Sequence, residues 1–354
     1  MVASSTQQTG GGNSHPETDY RGRRVNHLAT VAEGHDMAQA QRPEFDPELR
    51  AALAVIGGVF PPTITPDLIP YMRRAFASPS REDLVRGRSL DIVDINIPVS
   101  AASMYGSVIA RTGTQGLVGC VYLLHSGGMM FGDAFSGLDD AIEWVLDLGI
   151  KVVTVEYRLA PEHPHPVPFE DCYAGLQWIV QHAQELGIRP DRIVVGGASA
   201  GGGLAAALAL AARDRGGPRL CGQLLDYPML DDRGTPSTRS FDGMGVWDRV
   251  SNETGWNSLL RGEAGAPDVS PYAAPARAMD FRALPPAFID VGATEIFRDE
   301  AVDYARAIWE AGGEAELHVW PGAFHACDIF APHATVSRRM IRARRDWLRR
   351  MLVE

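Results

Sequence analysis

A serine held between glycines, after an apolar strand and before a small-residue helix, constrains this chain more than any other feature. Ser199 lies at the centre of the pentapeptide Gly197–Gly201, with apolar residues 193–195 before it and Gly, Leu and Ala over 202–208 after it. A strand, a sharp turn and a helix in this order form a nucleophile elbow, in which the serine hydroxyl projects above the sheet. Small flanking residues let strand and helix approach closely while the serine takes a strained backbone conformation. The alternative is an ordinary glycine-rich turn before an alanine-rich helix, but the flanking strand and helix favour the nucleophile elbow.

A second glycine-rich loop follows another apolar strand. Residues 121–124 lead directly into the loop His125–Met129, which reads HSGGM. Acyl transfer needs hydrogen-bond donors aimed at the oxyanion, and backbone N–H groups in such a loop supply them without side-chain obstruction. We predict Gly127 and Gly128 as donors, with Ala200 of the serine turn as the third. An ordinary strand-to-helix loop is the alternative, but two such loops after apolar strands favour the catalytic interpretation.

A third motif, the segment 157–164 with the letters YRLAPEHP, lies between the two loops. Together the three motifs resemble the hormone-sensitive-lipase-like family of α/β-hydrolases, the bacterial esterases with an H-G-G-G motif, over roughly residues 45–354. The chain departs from the family at Ser126, where Gly is usual, and at Met129, where an aromatic residue is usual. In the family the second and third glycines donate to the oxyanion, and Gly127 and Gly128 keep both.

The resemblance implies an α/β-hydrolase fold, with a mostly parallel central sheet flanked by helices and a small helical cap. The chain pattern agrees, because apolar runs alternate with helical segments from residue 134 onward. Strands are predicted at 92–97, 106–110, 118–124, 151–156, 193–197, 221–226, 286–291 and 315–320.

The domain organisation is predicted to be one hydrolase domain behind an extension. Residues 1–44 are polar and partly of low complexity, which indicates a flexible N-terminal extension. Residues 45–354 form the α/β-hydrolase domain. By analogy with the family, cap segments are expected at about 45–85 and 231–263.

A serine nucleophile needs a base, and His325 is predicted to be that base. In this fold the chain order is serine, acid and histidine, and only His318, His325 and His333 follow Ser199. His325 lies in a loop after the strand-like residues 315–320, where the family carries its catalytic histidine. His318 falls within that strand and is interpreted as structural, and His333 lies in a proline-containing loop.

The acid that orients the histidine is predicted to be Glu295. The family pattern here is D-P-L-R-D-E, with its first Asp in the triad, and this chain has Glu295 at that position. Glutamate performs the same role in some α/β-hydrolases. Asp299 is the competing candidate, but it opens the next helix and is predicted to cap it.

Composition indicates a soluble globular enzyme, with 45% hydrophobic and 22% charged residues. The net charge of −11 argues against nucleic-acid binding and against attraction to anionic membranes. An arginine-rich end at 338–350 carries an apolar stripe, which predicts an amphipathic helix packed on the sheet.

With no apolar leader and no 18-residue apolar span, the expected location is the cytoplasm. The four cysteines lack C-x-x-C spacing, so neither a metal nor a cofactor is expected.

The predicted function is hydrolysis of small carboxylic esters through an acyl-enzyme. The resemblance implies short acyl groups, while lactones and amides remain alternatives because the same triad can cleave them. A non-catalytic ligand binder is a further alternative, since plant gibberellin receptors are similar proteins that have lost the catalytic histidine. Here Ser199, His325 and a carboxylate are all present. The oligomeric state is left open, a homodimer included.

Overall fold

A computed structural model of the chain describes residues 42–57, 60–61, 63–75, 78–100 and 102–354. The extension predicted for 1–44 therefore lies outside the described residues except for its last three positions. The first element of the described residues is α1 (Pro47–Ile56). Its N-cap Asp46 accepts the N–H of Glu48 at 2.8 Å, and the Asp46 N–H donates to the carbonyl of Gly322 at 3.0 Å. This contact fixes α1 against the loop that leads to His325.

One eight-stranded sheet runs through the described residues in the order β1-β2-β4-β3-β5-β6-β7-β8. Its strands are β1 (Leu90–Val99), β2 (Ala102–Arg111), β3 (Val118–Leu124), β4 (Lys151–Val155), β5 (Ile188–Ala198), β6 (Gly222–Asp226), β7 (Ala287–Gly292) and β8 (Ala315–Trp320). β2 pairs antiparallel with both β1 and β4, whereas every other pairing is parallel. Each predicted strand is present, so the predicted mostly parallel sheet is confirmed.

Helices cover both faces of this sheet. Besides α1, they are α2 (Ile69–Ala75), α3 (Arg81–Val85), α4 (Asp139–Leu148), α5 (Val167–Gln181), α6 (Ala200–Asp214), α7 (Pro236–Ser240), α8 (Arg249–Leu260), α9 (Arg298–Glu310), α10 (Cys327–Phe330) and α11 (Thr335–Leu352). Short 3₁₀ turns occur at Pro66–Leu68 and Pro275–Arg277.

Successive side chains of the strands pack into two apolar clusters among the described residues. In β3, Tyr122 packs into the core that includes residues of α5, α6 and α9, whereas Val121 packs into the core formed with α4 and α11. Neighbouring residues of a strand point to opposite faces, so a continuous apolar run is what a sheet covered on both sides requires. The predicted packing of the arginine-rich helix is confirmed, since Trp347 and Leu348 of α11 contact that second core.

The strand register places the loops after β3 and β5 side by side, and likewise the loops after β7 and β8. Leu124 of β3 pairs with Gly197 of β5, so the loops after these two strands leave the sheet at the same level. Gly292 of β7 likewise pairs with Trp320 of β8. Because carboxyl ends of parallel strands meet at one edge, four loops converge there. No helix of the described residues is long and apolar enough to cross a membrane.

Candidate active site

The turn after β5 holds Ser199 in a backbone conformation that non-glycine residues rarely adopt, with φ 56° and ψ −119°. The residues two positions before and after it must be glycine. A Cβ on Gly197 would lie 2.5 Å from the carbonyl carbon of Gly201, and a Cβ on Gly201 would lie 2.0 Å from the carbonyl oxygen of Leu124. The Ser199 N–H donates to the carbonyl of Asp226 at 2.9 Å, which ties the turn to the end of β6. Close packing of two strands and a helix therefore maintains the strained serine.

The loop after β8 brings His325 to this serine. The His325 Nε2 atom lies 3.1 Å from Ser199 Oγ, within hydrogen-bond distance. The edges of Tyr227 and Phe297 pack around the imidazole, with ring centroids at 4.9 and 5.0 Å. His325 as a whole is 6% exposed. The histidine is thus buried, oriented and in reach of the hydroxyl proton.

Glu295, in the loop after β7, supports the other nitrogen of the imidazole. Its Oε2 atom lies 2.6 Å from His325 Nδ1, and its Oε1 atom accepts the N–H of Gly292 at 2.8 Å. A carboxylate accepts hydrogen bonds, so Nδ1 donates and Nε2 is left with the lone pair that faces Ser199. The structure brings together the three residues that the sequence singled out for the triad.

Asp299, the competing acid, is engaged elsewhere. Its Oδ2 atom accepts the N–H of Ser237 at 2.7 Å, and its Oδ1 atom accepts from Arg298 Nε at 2.8 Å. The prediction that Asp299 caps the helix is wrong, because α9 begins at Arg298 with Phe297 in the cap position and no side-chain cap. The carboxylate lies inside the first turn of α9 and bonds α7 to it instead.

The other two histidines that follow Ser199 in the sequence have different surroundings. His318, within β8, bonds to Glu316 at 2.9 Å and stacks on Trp320 at 5.1 Å between ring centroids. His333 is exposed, in the turn before α11. Neither makes a hydrogen bond with Ser199 or Glu295 among the described residues.

The loop after β3 has the backbone that only glycine adopts easily. Gly127 has φ 112° and Gly128 has φ 60°. A Cβ on Gly127 would lie 2.0 Å from the Phe131 carbonyl oxygen, and one on Gly128 would lie 2.4 Å from the Trp247 ring. Within the described part of the chain, no acceptor receives the backbone N–H of Gly127, Gly128 or Ala200. Free N–H groups beside a buried hydroxyl are what an oxyanion requires.

Side chains beneath this loop fix its position. The Tyr157 hydroxyl donates to the carbonyl of His125 at 2.8 Å, and His125 Nδ1 lies 2.8 Å from the carbonyl of Ser126. The two rings stack at 4.1 Å. Burial lowers the pKa of His125 to about 4, so this imidazole is neutral at pH 7. Arg73 of α2 donates to the carbonyl of Met130 at 2.8 Å, which fixes the far end of the loop.

A small, mostly apolar cavity of about 50 Å³ opens onto Ser199 and His325. Its apolar walls are Phe60, Phe131, Val246, Trp247, Ile329 and Phe330. Tyr227 also lines it, directly after β6. Sequence reasoning did not single out Tyr227 or Phe131. A usable signal existed for both, because Tyr227 follows a strand at the carboxyl edge of the sheet and Phe131 ends the glycine-rich loop.

No group of three or more His, Cys, Asp or Glu side chains in the described ranges could hold a metal ion. Cys120, Cys172 and Cys327 are buried thiols, and Cys221 is half-buried. Burial raises the pKa of Cys221 to about 11, which keeps that thiol protonated.

Comparison with known proteins identifies similar sequences and similar folds. A family model described as alpha/beta hydrolase fold matches residues 121–329. The esterase LipI of Mycobacterium tuberculosis is 36% identical over 199 residues, which cover 56% of this chain and 62% of LipI. The carboxylesterase NlhH of the same species is 37% identical over 222 residues, covering 60% of this chain and 67% of NlhH. The matches thus span about two thirds or less of these relatives.

Among solved structures, a bacterial heroin esterase superposes with a TM-score of 0.80 at 37% identity. The superposition covers 88% of this chain and 98% of that protein. The similarity therefore extends over nearly the whole hydrolase fold, beyond the region that the family model matches.

Proposed function

Because this chain belongs to the α/β-hydrolase family, which confirms the resemblance carried by its motifs, we propose that it is a carboxylesterase that hydrolyses small, short-acyl esters. The observation that carries the proposal is the continuous relay from Ser199 through His325 to Glu295, at 3.1 and 2.6 Å. A serine hydroxyl is a weak nucleophile unless a base removes its proton in the attack. The relay supplies that base in the required tautomer.

In the first half-reaction, Ser199 Oγ attacks the ester carbonyl carbon while its proton moves to His325 Nε2. Glu295 accepts the Nδ1–H hydrogen bond and stabilises the imidazolium that forms. The tetrahedral intermediate then collapses, the carbon–alkoxide bond breaks, and the Nε2–H of His325 protonates the leaving alkoxide. An acyl group stays on Ser199. Water attacks it in the second half-reaction with His325 again as the base, and the acid product leaves.

The N–H groups of Gly127, Gly128 and Ala200 form the proposed oxyanion hole. Their support is geometric: two belong to residues with positive φ, the third follows the nucleophile, and none donates to an acceptor within the described residues. Donors held in place before the reaction need no rearrangement when the negative charge develops. Ser126 has no donor role in this arrangement, although it lines the cavity.

Short acyl groups fit the proposal because the cavity holds about 50 Å³. One water needs at least about 10–15 Å³ by the same measure, so the space suits only a few heavy atoms. The proposed cap segments, 45–85 and 231–263, contribute Phe60 from one side and Val246 and Trp247 from the other. Their bulk limits the length of the substrate.

The cytoplasmic location remains a prediction from the sequence. The oligomeric state remains open, and a homodimer is one possibility. Neither enters the mechanism, because every proposed functional residue comes from one chain.

The proposal is tested by turnover of aryl esters of increasing acyl length, beside matched amides and lactones of the same size. We expect acetyl to butyryl esters to be hydrolysed fastest and the amides far more slowly, with Ser199→Ala as the inactive control. Turnover that rises with acyl length beyond eight carbons (about twice the expected limit, given the cavity size) would contradict the short-acyl proposal. Preferential cleavage of amides or lactones would assign the same triad to one of those reactions.

A further inference from the structure

One arginine of the last helix is fully buried among acids. Arg344 of α11 is 1% exposed. Its guanidinium binds Asp290 with two N–H groups, at 3.0 and 3.1 Å, and also donates to Asp328. The Arg344 Nε atom lies 3.0 Å from Asp226 Oδ1, and Asp140 lies 3.7 Å from the Nη1 atom. We call these five residues the Arg344 cluster.

Two of these aspartates lie on strands that contact a triad residue or lead to one. Asp226 is the last residue of β6, and its carbonyl accepts the N–H of Ser199 at 2.9 Å. Asp290 lies in β7, whose last residue Gly292 donates its N–H to Glu295 at 2.8 Å. A guanidinium that holds both aspartates therefore sets the spacing of the strands beneath the nucleophile and the acid.

The third contact leads to the histidine. Asp328 lies in α10, which starts directly after the His325 loop. The Tyr227 hydroxyl donates to Asp328 Oδ2 at 3.4 Å, while the Tyr227 ring packs edge-on against His325 at 4.9 Å. Arg344 itself lies 5.4 Å from the centre of the Tyr227 ring. Two routes, through Asp328 and through Tyr227, thus join the guanidinium to the imidazole.

The charges of the cluster depend on this one cation. Burial raises the pKa of Asp140 to about 7 and raises the pKa of Asp226 and Asp290 as well, and Arg344 acts against that increase in all three. Without the guanidinium, these buried carboxyl groups would lose the cation that offsets the cost of their burial. The three segments would then lack a shared attachment.

We propose that Arg344 is a positioning residue of the active site, which fixes Ser199, Glu295 and His325 relative to one another by binding the aspartates of their supporting segments. The inference rests on the proposed function of that triad. Catalytic groups must be held within about 0.5 Å of their productive geometry. A displacement of about 1 Å that originates away from the reacting atoms can cost about 100-fold in rate.

The first test replaces Arg344 by lysine, which keeps the charge but removes the planar fork that binds two oxygens of Asp290 and reaches Asp328. We expect kcat to fall by about 100-fold while KM changes little, because the apolar cavity is untouched. The matched control is Arg345→Lys on the same helix, whose partner is the surface residue Asp147. A folded Arg344→Lys enzyme with the wild-type kcat would overturn the proposal.

A second variant and a second measurement keep the test decisive. Asp328→Asn preserves side-chain volume and removes one arm of the cluster, so it answers the question if Arg344→Lys does not fold. In both variants, the downfield proton resonance of the His325 Nδ1–H bonded to Glu295 should shift or broaden, and in Arg345→Lys it should not. An unchanged resonance in folded Asp328→Asn would overturn the proposal. This measurement uses no ester, so a wild type that shows the resonance but no turnover would refute the proposed function alone.

Discussion

Two buried polar groups lie side by side in this molecule: the relay formed by Ser199, His325 and Glu295, and the Arg344 cluster. Both contact Tyr227, but they balance charge differently. The relay pairs one base with one acid, and both imidazole nitrogens have partners. The cluster sets four aspartates around one guanidinium, and Asp226 Oδ1 lies 3.0 Å from Arg344 Nε as an ion pair, without hydrogen-bond geometry to any group in the described part of the chain. One region is arranged to move a proton, and the other holds charge in place.

This difference predicts different consequences of mutation. Removing a member of the relay should abolish the reaction and leave the fold intact, because active sites are arranged for chemistry and not for stability. Removing the cation of the cluster should destabilise the fold, because it leaves buried carboxylates without compensation. The following predictions test this separation.

Ser199→Ala should have the largest effect. Loss of the nucleophile in comparable triads lowers turnover on the order of a million-fold. The midpoint of thermal unfolding should not fall, since the change deletes one oxygen from a strained turn. Ester kinetics and thermal unfolding measured on the same sample check both statements. Residual activity above a few per cent would remove Ser199 from its proposed role.

Glu295→Gln should lower kcat by roughly 10⁴-fold, because the amide can donate to Nδ1 and select the wrong tautomer, and it lacks the charge that stabilises the imidazolium. Asp299→Asn is the matched control. Its carboxylate bonds Ser237 and Arg298, so the variant should keep kcat and lower the free energy of unfolding by about 1 kcal/mol. If Asp299→Asn were inactive and Glu295→Gln active, the acid of the triad would have to be reassigned.

Arg344→Met should lower the free energy of unfolding by about 3–5 kcal/mol, the cost of removing one partner from a buried ion pair. Arg345→Met breaks an exposed pair on the same helix and should cost at most about 1 kcal/mol. Urea unfolding of both variants measures the difference. If both variants lost the same free energy of unfolding, the Arg344 cluster would contribute no more to stability than the pair of Arg345 and Asp147.

Ser126→Gly should have the smallest effect and leave kcat within several-fold of the wild type. Loss of a true oxyanion donor costs about 100- to 1,000-fold, so the two outcomes are well separated. Kinetics of Ser126→Gly and Ser126→Ala on one short-acyl ester distinguish them. A drop of 100-fold or more in both, in folded protein, would make the Ser126 hydroxyl part of the oxyanion hole.

Much of the fold and of the relay could be predicted from local sequence. Strands appeared as apolar runs, and the candidate catalytic residues follow strands whose carboxyl ends meet at one edge. The role of Asp299 could not be predicted, since its partner Ser237 lies on a helix distant in sequence. Arg344 was missed for a related reason. Its four-residue spacing from Met340 and Leu348 puts it on the buried stripe, but its partners come from α4, β6, β7 and α10.

The neutral, buried imidazole of His125 couples the fold to acidity. Its pKa is 6.5 when unfolded and about 4 in the folded chain. Between those values the unfolded chain binds more protons, so stability falls as the pH drops from 6.5 towards 4. Such a difference corresponds to about 3 kcal/mol at most. Since His125 lies beneath the loop that carries Gly127 and Gly128, protonation of its imidazole should favour conformations in which this loop, with its proposed oxyanion donors, has left its place.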